Sequence, residues 1–272
     1  MSGYRGIIEK AFKKLYAELS MVKGDSKLAD VVGRGASGDI THTIDAMSEK
    51  LLIDFFRKSI PDCTLVSEEI GVVDGGKDAP IVLMDPIDGS TNAVRGLPIF
   101  CATAGILEDR RFSSMKASGT IDLVNGEIIV GDERGVYVNG AKHDLSKVSK
   151  LEEALVSYEI KVRVKRPQKL IDRMYELLSR TKYPRVLGSA ALEIAYVAIG
   201  RMDAYVAPGM QLRSYDCLPS MFLVKSAGGF VRGIGQNIDS VDVMSRERVS
   251  FVVAGNKTLG QIFAEEFSSV LE

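Results

Sequence analysis

The sequence predicts one α/β folding unit of mixed α+β character, on three observations. Two amphipathic helical repeats open the chain, a series of short apolar runs follows, and beyond residue 150 strand and helix signals alternate to the end. The 272 residues exceed the roughly 100 to 200 of an ordinary domain, so a single unit spanning 1–272 needs two lobes, about 1–145 and 146–272. No repeat, low-complexity segment or Pro/Gly-rich linker divides the chain further. With 46% apolar and 26% charged residues it can bury a sizeable core.

The elements follow in order. Ile7, Ile8, Ala11, Leu15 and Leu19 recur at helical spacing, and Ile44, Met47, Leu51, Leu52, Phe55 and Phe56 do so again. Between them VVGRGASGD, with three glycines in seven positions, predicts a mobile loop that could serve as a linker or as a flap. Strands are expected at Cys63–Ser67, Ile81–Met84, Phe100–Leu107, Phe112–Leu123 broken at Gly119, Glu127–Gly131 and Gly135–Val138. The second half reads as strand Ala154–Ile160, helix Gln168–Arg180, strand Arg185–Leu187, alanine-rich helix Ser189–Ile199 and strand Ala204–Ala207. Helix Cys217–Ser226, a strand ending near Val231, strand Ser250–Ala254 and helix Thr258–Val270 complete it.

Composition narrows the partners. Lysine and arginine total 35 against 36 acids, so the net charge of −1 offers no global field for nucleic acid or anionic lipid, and an anionic ligand must be held locally. Three cysteines at wide spacing, with no CxxC, fit a reducing compartment, the cytoplasm, and argue against a disulfide scaffold or zinc ribbon. The opening MSGYRGIIEKAFKK is charged too early for a signal peptide. The longest uncharged apolar stretch, Gly96–Leu107, falls short of the ~18 residues a membrane span requires.

The strongest chemical signal is IVLMDPIDGSTN, residues 81–92, where an apolar strand delivers Asp85 and Asp88 and then Gly89, Ser90 and Thr91. Two hard anionic oxygens turned to one point across a helix-blocking proline suit Mg²⁺, and Gly-Ser-Thr can open a short helix whose N–H groups face a phosphate. Alone, the same residues would serve as an Asx turn with an N-cap. Their spacing fits neither an EF-hand loop nor a phospho-aspartate nucleophile. Glu68 and Glu69, in CTLVSEEIG, end another apolar strand. Asp216, in SYDCLPS, stands before an apolar helix as a natural N-cap. Three acid sites at three element boundaries fit one cation-binding cleft better than three unrelated caps. The two histidines, His42 and His143, read as surface or structural residues.

SEEIG, MDPIDGSTN, the upstream GDITHTID, and the downstream GSAALEIAYVAIGRMDAY, YD and AGG run in that order along almost the whole chain. Together they resemble the inositol monophosphatase family, within the wider group of lithium-sensitive, magnesium-dependent sugar phosphatases. The resemblance implies a layered αβαβα sandwich, usually a homodimer, that hydrolyses a small-molecule phosphate with a metal-activated water and no covalent intermediate. It implies Mg²⁺, two or three ions per site with Mn²⁺ able to substitute, held by Glu68, Asp85, Asp88, Asp216 and the backbone carbonyl of Ile87. Asp45 and Ser90 match the groups that orient the water, Glu69 could touch the metal but reads rather as a solvated residue or one behind the ligands, and Gly188, Ser189 and Ala190 match the segment lining the sugar pocket. Gly89, Ser90 and Thr91 face the phosphate.

Departures from the family pattern bear on substrate. Tyr215 stands where many members have tryptophan, and Ser90 where threonine is common; a packing ring and a hydroxyl are kept. VAPGMQLRSY is longer than in animal members, with Arg213 inside it, and Arg95 replaces a common histidine. These arginines resemble those of archaeal members acting on both fructose 1,6-bisphosphate and inositol 1-phosphate, where a guanidinium fork would suit a second phosphate. Arg34 falls where the family's mobile loop carries a basic residue, and the run KVRVKRPQK, 161–169, is either a solvated strand edge or a site for a distal phosphate or dimer partner. The alternatives within the same resemblance are a 3′-phosphoadenosine 5′-phosphate phosphatase and a non-catalytic, RNA-associated regulatory relative.

Overall fold

The structure, a computed structural model, describes residues 3–22, 26–36, 38, 40–160 and 167–271. Helix α1 (Tyr4–Met21) is followed by β1 (Val31–Arg34), β2 (Ile40–His42) and α2 (Thr43–Ser59). Then come β3 (Thr64–Ser67), β4 (Gly71–Val73), β5 (Ile81–Asp88), α3 (Ser90–Arg95), β6 (Cys101–Leu107), β7 (Met115–Asp122), β8 (Ile128–Asp132), β9 (Gly135–Val138) and β10 (Ala141–Lys142). The second half contains β11 (Leu155–Tyr158), α4 (Gln168–Arg180), β12 (Tyr183–Arg185), α5 (Ala190–Ala198), β13 (Ala204–Arg213) and α6 (Ser214–Ser226). It ends with β14 (Phe230–Gly233), β15 (Arg248–Ala254) and α7 (Lys257–Leu271).

Side-chain alternation along single strands sets the layers, because successive residues face opposite sides of a sheet. On β5, Val82 and Met84 join a core with Ile8, Phe12 and Leu15 of α1 and Leu52 and Phe56 of α2. Ile81 and Leu83 face the other way, into a core shared with α5 and α6. On β15, Val249, Phe251 and Val253 join that same central core, while Val252 and Ala254 pack with Leu177 of α4 and Phe263 of α7. Among the described residues three large cores separated by two sheets make five layers, helix–sheet–helix–sheet–helix, an αβαβα sandwich. The eight-stranded sheet has the order β10-β9-β8-β7-β6-β5-β3-β4, and the five-stranded sheet the order β12-β11-β13-β15-β14. Both sheets rest on α5 and α6, which explains why these two helices are apolar on nearly every face.

Several expectations shift. The glycine-rich segment predicted as a loop folds in part as a ribbon, β1 paired antiparallel with β2, with Ser37 and Asp39 outside the described residues. β7 runs unbroken through Gly119, preceded by a 3₁₀ turn at Phe112–Ser114. The glycine is there for close approach: a Cβ would lie 2.8 Å from Val130 Cγ1 and 2.9 Å from Ile8 Cγ2, so α1 could not seat on the sheet. β5 continues past Met84 to Asp88, and β13 past Ala207 to Arg213. Strand β12 covers Tyr183–Arg185 rather than Arg185–Leu187. Helix α6 begins at Ser214, so Asp216 is not the N-cap but lies in the first turn, where its carboxylate accepts from the Arg213 N–H at 2.8 Å. The basic run is described only from Pro167 onward; its residues 161–166 lie outside the described set.

Candidate active site

Two aspartates three residues apart on a regular strand would face opposite sides of the sheet. The pairing of β5 with β6 shows how both reach one side: Asp85 pairs with Thr103 and Asp88 with Cys101, three steps on one strand against two on the other. The extra residue is a bulge at Pro86–Ile87, where a missing N–H and a displaced ladder cost least. The Ile87 N–H turns back to Asp85 Oδ1 at 3.1 Å. Gly89 then takes φ +86°, the left-handed region open to glycine, and α3 starts at Ser90.

A cleft of about 260 Å³ opens there, walled by Glu68, Asp85, Ile87, Asp88, Gly89, Ser90 and Thr91 from the first half and by Gly188, Ala190, Arg213, Tyr215 and Asp216 from the second. Asp85 is only 2% exposed. Burial pushes its carboxyl well above the ordinary range, and the charges of Glu68, Asp88 and Asp216 push it further. Burial likewise raises Asp88, with Asp216 adding to the rise, while hydrogen bonds from Ser189 and the Ala191 N–H oppose it. The acids feel one another strongly across one small space. Among the described residues no group of three or more His, Cys, Asp and Glu is arranged as a ready-made cage for an ion. That arrangement still suits a hard cation such as Mg²⁺, which keeps several waters and takes one or two carboxylates with substrate oxygens. The donors in the wall, carboxylates and the Ile87 carbonyl, are all oxygen.

Asp45 lies in the first turn of α2, outside the cleft wall. Its Oδ2 accepts from the His42 N–H at 2.7 Å, and its buried Oδ1 has no partner. Burial lifts its pKa to about 6, the His42 N–H opposes that, and the charge of Glu69 adds to it. Glu69 accepts from the Thr41 hydroxyl, and its carbonyl accepts from the Ala36 N–H at 2.8 Å, which straps the β1–β2 ribbon to the Glu68–Glu69 turn. Glu49, also buried and raised by burial, accepts from the Ile70 N–H at 3.1 Å on the other side of that turn. His42 is the N-cap of α2 and sits against the Ala29 carbonyl.

The cleft therefore gathers Glu68, Asp85, Ile87, Asp88, Gly89, Ser90, Thr91, Gly188, Ala190, Arg213 and Asp216, all of them expected from the sequence. Ser189 is fully buried beside it, with its hydroxyl donated to Asp88 Oδ2 at 2.8 Å. Arg95 is not brought in: it is exposed at the far end of α3 from Ser90. Arg34 is exposed on β1 and donates to the Gly38 carbonyl at 2.8 Å. Glu159, Leu212 and Arg248 line the cleft without having been expected. Glu159 follows a strand as Glu68 does, and that strand-end signal would have found it. A larger cavity of about 530 Å³ against α3, lined by residues such as Tyr16, Ile44, Leu97 and Phe100, is mainly apolar and holds none of the expected residues.

A sequence model described as the inositol monophosphatase family matches residues 5–272. The chain belongs to the inositol monophosphatase family. Members are phosphoric monoester hydrolases and generally depend on a metal. A Thermococcus kodakarensis protein named fructose-1,6-bisphosphatase/inositol-1-monophosphatase is 29% identical over 250 residues, 91% of this chain and 90% of its own length. An Escherichia coli protein named Nus factor SuhB is 29% identical over 197 residues, 72% of each chain. The solved Thermotoga maritima IMPase superposes with a TM-score of 0.78 at 26% identity, covering 97% of this chain and 96% of that one.

Asp45 gives this family site a titration test. Its folded pKa of about 6 lies above the 3.8 of an ordinary aspartate, so its contribution to stability is fully present below pH 3.8 and is lost as pH rises through 6. In EDTA, stability of the wild type is expected to fall between pH 5 and 7.5 by about 1.4 kcal/mol more than that of Asp45→Asn, measured by urea unfolding. Equal pH dependence in the two proteins would contradict the assigned burial of this carboxyl.

Proposed function

We propose that this chain is a Mg²⁺-dependent phosphomonoesterase acting on a small sugar or cyclitol phosphate. The observation that carries the reading is Asp85: a buried carboxyl, raised by burial and by three neighbouring acids, in a cleft that also presents Gly89, Ser90 and Thr91. Glu68, Asp85, the Ile87 carbonyl, Asp88 and Asp216 would hold the cation. When bound, a divalent cation supplies charge neutralisation and a lowered pKa for water, at a site that otherwise repels a phosphate dianion.

The chain's own groups then do the positioning. Ser90, on the first turn of α3, orients the attacking water through its hydroxyl. Asp45, behind the cleft wall with its Oδ1 unpartnered, matches the family's carboxylate that orients the same water. Gly188 and Ala190 shape the opposite wall for the leaving alcohol, with Ser189 buried behind them. Arg213 and Arg248 line the same cleft, the latter with Nη1 donated to the Gln211 carbonyl, and a guanidinium there would suit a bisphosphate as one substrate; fructose 1,6-bisphosphate and inositol 1-phosphate are the two we name. The likeness to Nus factor SuhB supports a second reading, a regulatory role needing no turnover.

Hydrolysis of both substrates is expected to require Mg²⁺, and Asp85→Asn to lower kcat by about a thousandfold or more with the fold retained by circular dichroism. Full turnover in excess EDTA, or by the mutant, would defeat the metal assignment; a wild type that hydrolyses neither substrate would favour the regulatory reading. Arg213→Ala is expected to lower kcat/KM for the bisphosphate roughly tenfold to a hundredfold more than for the monophosphate, the ~1.5–3 kcal/mol of a charge-assisted contact. Equal losses would return Arg213 to the shared phosphate site or to the fold.

A further inference from the structure

Glu193 is a carboxylate on an otherwise apolar helix, 2% exposed, and outside every set of ligands or proton carriers assigned above. Its surroundings consist of donors. Oε1 accepts from the N–H of Gly188 at 3.1 Å and of Ser189 at 3.2 Å, and Oε2 from the N–H of Leu187 at 3.4 Å and from the Ser157 hydroxyl. Three consecutive backbone N–H groups converging on one anion define the turn 187–189, with Gly188 at φ +83°.

That turn bears directly on the acids of the cleft. Ser189 Oγ donates to Asp88 Oδ2 at 2.8 Å, and the Ala191 N–H donates to the same oxygen at 2.8 Å. Asn92 of α3 donates to the Leu187 carbonyl at 2.9 Å. Backbones touch as well: a Cβ on Gly89 would lie 3.2 Å from the Gly188 carbonyl oxygen and 3.2 Å from Ser189 Cβ. A displacement of the turn therefore cannot be absorbed by an intervening layer; it moves Asp88 or breaks its two hydrogen bonds. Positioning errors of about 1 Å at such a group are costly.

We propose that Glu193 is a positioning residue that fixes the 187–189 turn and, through Ser189 and Ala191, the orientation of the Asp88 carboxylate for cation binding. The proposal rests on the divalent-cation reading given above. Its chemistry is specific to a carboxylate. Glutamine has the same shape, but its NH₂ would face the Gly188 and Ser189 N–H groups in one orientation and the Leu187 N–H in the other, where only the Ser157 hydroxyl can turn to accept, so at least one backbone contact of the anchor is lost.

The test is Mg²⁺ binding followed by isothermal titration calorimetry on metal-free protein, which needs no turnover. Glu193→Gln and Ser189→Ala are each expected to weaken Mg²⁺ binding on the order of tenfold, the range for groups that orient a metal ligand. Leu177→Ala, a cavity in the outer core among α4 and α7 on the face of β11 opposite Ser157, supplies a loss of stability without removing any contact of the turn, and its Mg²⁺ affinity is expected to stay within twofold of wild type. Affinity of Glu193→Gln as close to wild type as that of Leu177→Ala would overturn the proposal and leave Glu193 a purely structural acid. Should Glu193→Gln fail to fold, Ser189→Ala decides, and an affinity within twofold of wild type overturns it. A wild type that binds no Mg²⁺ overturns the cation reading itself and this assignment with it.

Discussion

Mutual repulsion among carboxylates that the fold places in one small, partly desolvated space is the interaction on which the rest of this structure depends. Asp85 cannot be buried as an anion beside Glu68, Asp88 and Asp216 without either holding a proton or receiving a positive charge. A fold that kept such an arrangement only for stability would gain by replacing the acids with apolar residues. In the function we propose, the acids are a standing deficit of positive charge that a cation would fill, after which a phosphate dianion could enter.

Architecture and site are connected through that deficit. The first sheet supplies Asp85 and Asp88 by a bulge, and the second supplies Asp216 from a helix that starts where β13 ends. Neither half could present the full set, so the central helices α5 and α6, buried between the sheets, also set the spacing of the charges. Around the cleft the orienting groups follow one pattern: an acid outside the cleft wall gathers backbone N–H groups of the turn that carries a residue of the wall. Glu49 does this for the turn after Glu68, and Glu193 for the turn beside Asp88.

Much of this was legible in the sequence, for physical reasons that also mark its limits. Buried strands appear as apolar runs, and acids at their ends stand out against them; Glu68, Asp85 and Asp88 are found that way. The extent of β5 is not, because proline and a charged end are normally signs of termination, whereas here a bulge lets the strand carry both to Asp88. Gly119 misleads in the opposite direction. It looks like a strand break, but it is the space into which Ile8 of α1 fits, a contact more than a hundred residues away in sequence. Arg95 shows the limit of motif matching: it is next to the right residues in the chain, but the helical rise of α3 carries it away from them. Arg248 opens a strand distant in sequence and enters the cleft only through sheet pairing, which local patterns do not encode, whereas Glu159 carries the same strand-end signal as Glu68.

The most direct test of this view of the site is a crystal structure grown with Mn²⁺ and measured at the manganese absorption edge. Anomalous density is expected in the cleft within about 2.0–2.3 Å of Asp85 and at least one further oxygen from Glu68, the Ile87 carbonyl, Asp88 or Asp216. A cleft without an anomalous peak at millimolar Mn²⁺, or manganese bound only elsewhere, would contradict the claim that these acids are assembled for a cation.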